Sequence, residues 1–138
     1  MTTITSDERT KRKILDTART IAVVGLSANR TKAGFTVPAY LQRAGYRIIP
    51  VRPDGDEILG EKVYRSLGDI PFPVDVVAVF RRSGAVPPIA GEAVKIGAKV
   101  LWLQEGITHP EAEAAARKAG MAVVSDRCML KEHRRLGI

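Results

Sequence analysis

The chain carries one cysteine, Cys128, so it can close no internal disulfide, which excludes a small disulfide-held secreted scaffold. No apolar stretch approaches the roughly 18 residues that begin to suggest a membrane span, and no charged start leads into an apolar signal segment. The expectation is a soluble, cytoplasmic protein. Aromatic residues make up only 5% of a sequence that is 45% hydrophobic, and its apolar residues are mostly Ala, Val, Ile and Leu. That balance suits β-branched strands buried on both faces by helices. Histidine is scarce as well: His109 sits beside Pro110 at a helix start and His133 lies in a basic tail, and each reads as a cap or a surface group rather than a catalyst. Neither the G-x-G-x-x-G dinucleotide fingerprint nor a Walker A pattern occurs.

What is present is basic. Lys and Arg number 22 against 15 Asp and Glu, a net charge of +7 over 138 residues. The length fits one domain, 1–138, and the charge favours anionic partners, among them nucleotides, nucleic acid and membrane surfaces. Nucleic acid is disfavoured, because the basic segments "DERTKRK" and "KEHRRL" are dispersed to the two ends and mixed with acids, with no aromatic-interleaved platform.

Five short apolar runs closed by turn residues organise the chain: "TIAVV" at 20–24, "YRIIPV" at 46–51, "VDVVAVF" at 74–80, "AKVLWL" at 98–103 and "MAVVS" at 121–125. Three segments between them have helical spacing and end in glycine, at 45, 97 and 120, as helices do when the chain leaves through a left-handed residue. Strand, helix, strand in repetition predicts right-handed crossovers and an α/β fold of three layers, with a mainly parallel sheet of five strands. Residues 52–73 are too long for a bare loop and leave room for a sixth strand and a helical turn. A first helix over 7–18, capped by Ser6 or Asp7, is predicted to lean on the sheet edge through Ile14, Leu15 and Ala18. The expected layout is an N-terminal helix in 1–19, a core in 20–126 and a closing helix in 127–138. Pro38 is out of pattern, about a turn inside its helix.

In an open parallel sheet, ligands sit beyond the carboxyl ends of the strands. "VVGLSANRTKAG" lies there: Gly25 allows close backbone approach, the next helix offers unpaired N–H groups, and Ser27, Asn29, Arg30 and Lys32 add donors and charge. A diphosphate suits such a loop, although a tight strand-to-helix turn can require a glycine with no ligand at all. At the end of the second run, where an NAD site presents an acid, the sequence "PVRP" places Arg52. An arginine there suits a nucleotide with an extra ribose phosphate, which leaves NADP and coenzyme A open. The alternative is a surface arginine paired with Asp54 or Glu57.

The segments "VVGLS", "YLQRAGYRIIPVRP", "EILGEKVYRSLGDIP", "VDVVAVFRRSGAVPPI", "AVKIGAKVLWLQEGI" and "GMAVVSDRCMLKEHRRL" run in order over about residues 21–136. Together they resemble the small single-domain CoA-binding proteins related to the CoA-binding domain of the succinyl-CoA synthetase α subunit. The resemblance implies a Rossmann-like fold that binds coenzyme A or an acyl-CoA. It places Gly25, Ser27, Ala28 and Arg30 at the phosphates and Pro50, Val51, Arg52 and Pro53 at the adenosine. Phe80 and Arg81, with Gln104 and Glu105, would border the pantetheine arm. Arg52 stands where that family usually has asparagine, and nothing here corresponds to the synthetase's second domain or its phosphorylated histidine.

Outside that pattern, one of Arg81 and Arg82 is expected to meet a phosphate, unless both are solvated arginines before a helix. Trp102 is expected in the core. Glu105 has no nucleophile near it in sequence and is not assigned a catalytic role, and no metal site is expected. Cys128 reads as a partly buried small residue, with a CoA mixed disulfide as a secondary hypothesis. The overall expectation is a non-catalytic CoA or acyl-CoA binder, monomeric or homodimeric, with a partner protein unidentified. The rivals are an NADP-dependent reductase and a degenerate nucleotide fold used for protein contacts.

Overall fold

Alternation of β-branched runs with amphipathic segments produces, in the computed structural model, a parallel sheet with helices on both faces; residues 6–138 are described. In chain order the elements are α1 (Ser6–Thr17), β1 (Thr20–Val24), α2 (Ala33–Arg43), β2 (Arg47–Val51), a hairpin of β3 (Glu57–Ile58) and β4 (Glu61–Lys62), and β5 (Val76–Val79). There follow α3 (Val86–Lys95), β6 (Val100–Leu103), α4 (Pro110–Lys118), β7 (Ala122–Val124) and α5 (Met129–Leu136). The main sheet runs β2-β1-β5-β6-β7, every neighbour parallel. Residues 1–5 of the segment assigned to the first helix lie outside the described residues, as do the side chains of Ser6 and Asp7 from which a cap was expected.

Successive strand residues point to opposite faces, and both faces are covered. Ile21 and Val23 of β1 join Ile48, Val76, Ala78 and Trp102 beneath α1, α2 and α5. Ala22 and Val24 join Val77, Val79, Leu101 and Leu103 beneath α3 and α4. Trp102 is fully buried, as expected, and its indole N–H donates to the Arg127 carbonyl at 2.8 Å.

The sheet has five strands, and the sixth that the sequence allowed does not join it. Pro53 and Gly55 turn the chain away after β2, the β3-β4 hairpin forms a separate sheet, and only Tyr64 returns, for a single parallel bridge to Val51. Tyr64 N donates to Pro50 O and Arg52 N to Tyr64 O, each at 2.9 Å. This also explains a proline in a strand: β2 is an edge, and the N–H that Pro50 lacks belongs on its outer side.

α1 packs on the β7 edge and on α5. Its Lys11 is buried, with ion pairs to Glu8 at 2.9 Å and Glu132 at 2.5 Å, and Arg135 bridges the same two carboxylates. Burial pushes the Glu132 carboxyl up, but Arg135 and Lys11 outweigh it and hold the group below the usual carboxylate range. His133 departs from the surface or capping role expected of it. It is 7% exposed, its Nδ1 lies 2.8 Å from the Tyr40 hydroxyl, and its ring meets Tyr40 and Tyr46 edge to face. Among the described residues no helix is long and apolar enough to cross a membrane.

Candidate functional site at the carboxyl edge

The chain leaves β1 toward β2 on one side and reaches β5 on the other, so the crevice between the ends of β1 and β5 is the topological switch point. Gly25 closes β1 with φ +88°, and its N–H donates to Val51 O at 3.0 Å. A Cβ at this position would stand 2.9 Å from both Arg81 Cδ and the Phe80 carbonyl oxygen. The glycine is therefore required by the turn itself and by the close approach of the β5 end. Arg81 lies directly over the loop.

The loop is shaped from within. Ser27 Oγ accepts from Asn29 N, and Asn29 Oδ1 accepts from Thr31 N and from the Thr31 hydroxyl. These bonds use acceptors, and the Ser27 hydroxyl proton and the Asn29 amide N–H groups remain as donors.

Pro38 accounts for the next link. In a regular helix its N–H would bond Gly34 O, four residues back, but proline has none. The orphaned Gly34 carbonyl instead accepts from Ser27 N at 3.0 Å, so the misplaced proline ties the loop to the helix that follows it. Gly34 lies in ordinary contact with the loop, for a Cβ there would stand 3.4 Å from Gly25 O.

The start of α2 is open. Its N-cap, Lys32, makes no side-chain capping bond, and no acid stands in the first turn. Phe35 N and Thr36 N donate to Lys32 O, each at 2.9 Å, which leaves the Ala33 and Gly34 N–H groups without an intrahelical acceptor, and the helix dipole adds positive potential there. Ala28, Arg30 and Lys32 are exposed around this start, with the Arg30 guanidinium 5.7 Å from the Phe35 ring centre and no ion pair on Arg30 or Lys32 among the described residues. An anion placed here meets donors and positive charge, with no acid in the helix's own first turn.

At the end of β2, Pro50 and Val51 are buried and Pro53 is exposed. The Arg52 side chain is 19% exposed. Its Nε and Nη2 both donate to Asp54 Oδ1, at 3.0 and 2.8 Å, and Nη1 donates to Leu26 O at 3.2 Å. The pairing with Asp54 that composed the surface-arginine alternative is thus present, and the same guanidinium also braces the loop after β1.

Beyond β5 and β6 a hollow of about 150 Å³ opens between α2 and the strand ends, lined by Ala33, Val37, Phe80, Gln104, Ile107 and Cys128. Gln104 is 3% exposed; its Oε1 accepts from Met129 N at 3.2 Å, while its Nε2 is buried with no hydrogen-bond partner. Glu105 also borders the hollow and is paired with Lys131 at 2.8 Å, which holds the lysine above its usual range. The structure therefore groups Gly25, Ser27, Ala28, Arg30, Lys32 and Arg81 about one loop, sets Arg52 on its flank, and collects Phe80, Gln104 and Glu105 around the hollow. Cys128, which the sequence singled out only for a secondary hypothesis, stands in the hollow's wall, and Pro38, whose out-of-pattern position was the signal, stands behind the loop. Larger hollows lie between α1 and the amino edge, about 370 Å³, and between α3 and α4, about 560 Å³. Neither touches the loop after β1.

Sheet order and crevice together define a Rossmann-like α/β domain. A family profile described as a CoA binding domain matches residues 19–134, and the chain belongs to that family. It is homologous to the CoA-binding domain of the ADP-forming acetyl-CoA synthetases and succinyl-CoA synthetase-like proteins. The uncharacterized protein YneT of Bacillus subtilis is 41% identical over 122 residues, 88% of this chain and 90% of that one. The acetate–CoA ligase [ADP-forming] II of Archaeoglobus fulgidus is 35% identical over 83 residues, which is 59% of this chain but 12% of the ligase. Among solved structures, a hypothetical protein from Pyrococcus horikoshii OT3 superposes with a TM-score of 0.92 at 36% identity, covering 100% of this chain and 99% of that one.

Proposed function

We propose that this chain binds coenzyme A or an acyl-CoA along the carboxyl edge and performs no chemistry on it alone, serving as one self-contained carrier, sensor or presenting module. The observation that carries the reading is the open start of α2, uncapped and flanked by Arg30 and Lys32, in a member of a CoA-binding family. The diphosphate would accept from the loop and first-turn N–H groups, as anions do at helix starts. The adenosine would lie against the end of β2, with its 3′-phosphate drawing on Arg52 in competition with Asp54. The pantetheine arm would pass Phe80 and enter the hollow, where an amide carbonyl can accept from the unpartnered Gln104 Nε2.

A binding role also fits the two histidines, which are engaged in holding the fold, and Glu105, which is paired at the surface. His109 caps α4, its Nδ1 accepting from Ala112 N, and His133 is packed between two tyrosines. Glu105 is paired with Lys131. Calorimetric titration of the purified chain with CoA, dephospho-CoA and NADP tests the reading. CoA should bind, and dephospho-CoA should bind about tenfold more weakly for want of one charge-assisted contact. A signal from NADP with none from CoA would transfer the site to a reductase-type cofactor and contradict the proposal.

A further inference from the structure

Cys128 stands in the wall of the hollow into which the pantetheine arm is proposed to run. The hollow, at about 150 Å³, lies below the roughly 300–1,000 Å³ of sites that enclose a whole drug-sized ligand, so it takes one end of a longer molecule. Its lining is apolar apart from Gln104, Glu105 and the thiol. Gln104 supplies the independent sign of a ligand: an amide nitrogen on a residue 3% exposed, with no partner, in a fold where such groups are almost always satisfied. The pantetheine end of CoA matches both features, because it carries an amide carbonyl a short alkyl distance from its sulfur. A carbonyl held by Gln104 Nε2 leaves that sulfur to explore the wall that Cys128 forms. Cys128 is partly exposed and also borders a second depression, lined by Glu105, Arg127 and Lys131 and open to solvent.

Resting on the CoA-binding reading, we infer that Cys128 exchanges with CoA-containing disulfides and is captured as a Cys128–CoA mixed disulfide. The Cys128 thiol first gives its proton to water. Its sulfur then attacks the pantetheine sulfur of a CoA disulfide, the new S–S bond forming as the old one breaks, and the departing CoA thiolate takes up a proton. One disulfide is consumed and one is made, so no further oxidant enters. The sequence has no second cysteine to displace the bound CoA from within the chain. The adduct therefore persists until an external thiol removes it, and the bound state reports how much of the surrounding CoA is oxidised.

The test incubates the purified full chain with CoA disulfide or with oxidised glutathione at equal concentration and follows the intact mass with time. Titration with reduced CoA, in the presence of a phosphine reductant, runs alongside. The expected result is one CoA added per chain, at least about tenfold faster than one glutathione because the nucleotide is bound before the thiol reacts. The adduct should be reversed by dithiothreitol and absent from C128S and C128A. Q104L, which keeps Cys128 but removes the amide donor, should slow the CoA reaction about tenfold and leave the glutathione reaction unchanged. Binding of reduced CoA combined with equal rates for the two disulfides would overturn the inference and leave the binding reading standing. Equal rates without any binding of reduced CoA would overturn both.

Discussion

Four helices, α2 to α5, start at the carboxyl edge of the same sheet, and α2 and α4 start in opposite ways. α4 is closed by its own residues. His109 Nδ1 accepts from Ala112 N at 3.2 Å, Glu113 reaches back to His109 N at 2.8 Å, and Glu111 and Glu113 put negative charge in the first turn. That is a reciprocal cap like the capping box, with histidine in the hydroxyl's place and the acid one residue further along the helix. α2 has neither cap nor acid, and bears Arg30 and Lys32 instead. The amino edge of the sheet is closed in the same manner as α4, since Asp75 Oδ2 accepts from both Arg19 N and Thr20 N. At both of these places a side chain satisfies the backbone donors. At α2 alone of these three places, the donors are left for something from outside, and a cap worth about 1 kcal/mol is forgone.

The comparison can be broken most severely at Gly25. G25A forces a side chain into φ +88° and against the Phe80 carbonyl, so a loss of about 3 kcal/mol in urea unfolding is expected, with CoA binding abolished. K32D would turn the open helix start into a closed one. It should raise stability by about 0.5–1 kcal/mol while weakening CoA about thirtyfold, opposite signs from one substitution. R30A combined with R81A should weaken CoA about tenfold in calorimetry and move stability by less than about 0.5 kcal/mol. H109A breaks the closed start instead. It should cost about 1 kcal/mol of stability, with the CoA affinity unmoved.

The smallest effect is read through pH. Burial raises the Asp75 carboxyl, but the Thr20 and Arg19 N–H groups and Lys99 outweigh it, and the group stays below its ordinary 3.8. A lowered folded-state pKa means stabilisation that is full above 3.8 and is lost as pH falls through the folded value. D75N should therefore be less stable than the parent at pH 6, and the gap should narrow steadily below pH 3.8.

The parts legible in the sequence are those written in local chemistry. Runs such as "TIAVV" and "VDVVAVF" announce buried parallel strands because both faces must be apolar. The basic loop after Gly25 is visible as charge that a bare turn does not need. Arg52 and Asp54, two residues apart, could be anticipated as a pair. What stayed hidden depends on residues far apart in the chain. The anomaly of Pro38 was plain, but its consequence, Gly34 O holding Ser27 N, needs the loop folded back over the helix. His133 looked superficial among arginines and lysines until Tyr40, 93 residues earlier, was found on its ring nitrogen. The sixth strand failed for a related reason: the propensity of residues 57–62 is satisfied by a local hairpin, which a scan for extended segments does not distinguish from a sheet edge.

The most direct measurement is the amide spectrum of the ¹⁵N-labelled chain during addition of CoA. The expected result is saturable shifts of Ala28, Arg30, Ala33 and Gly34, with His109, Ala112 and Glu113 at the start of α4 unmoved. Shifts centred on α4, or on the hollow between α3 and α4, with the α2 start unchanged would contradict the claim that this helix start is the place kept open for an anion.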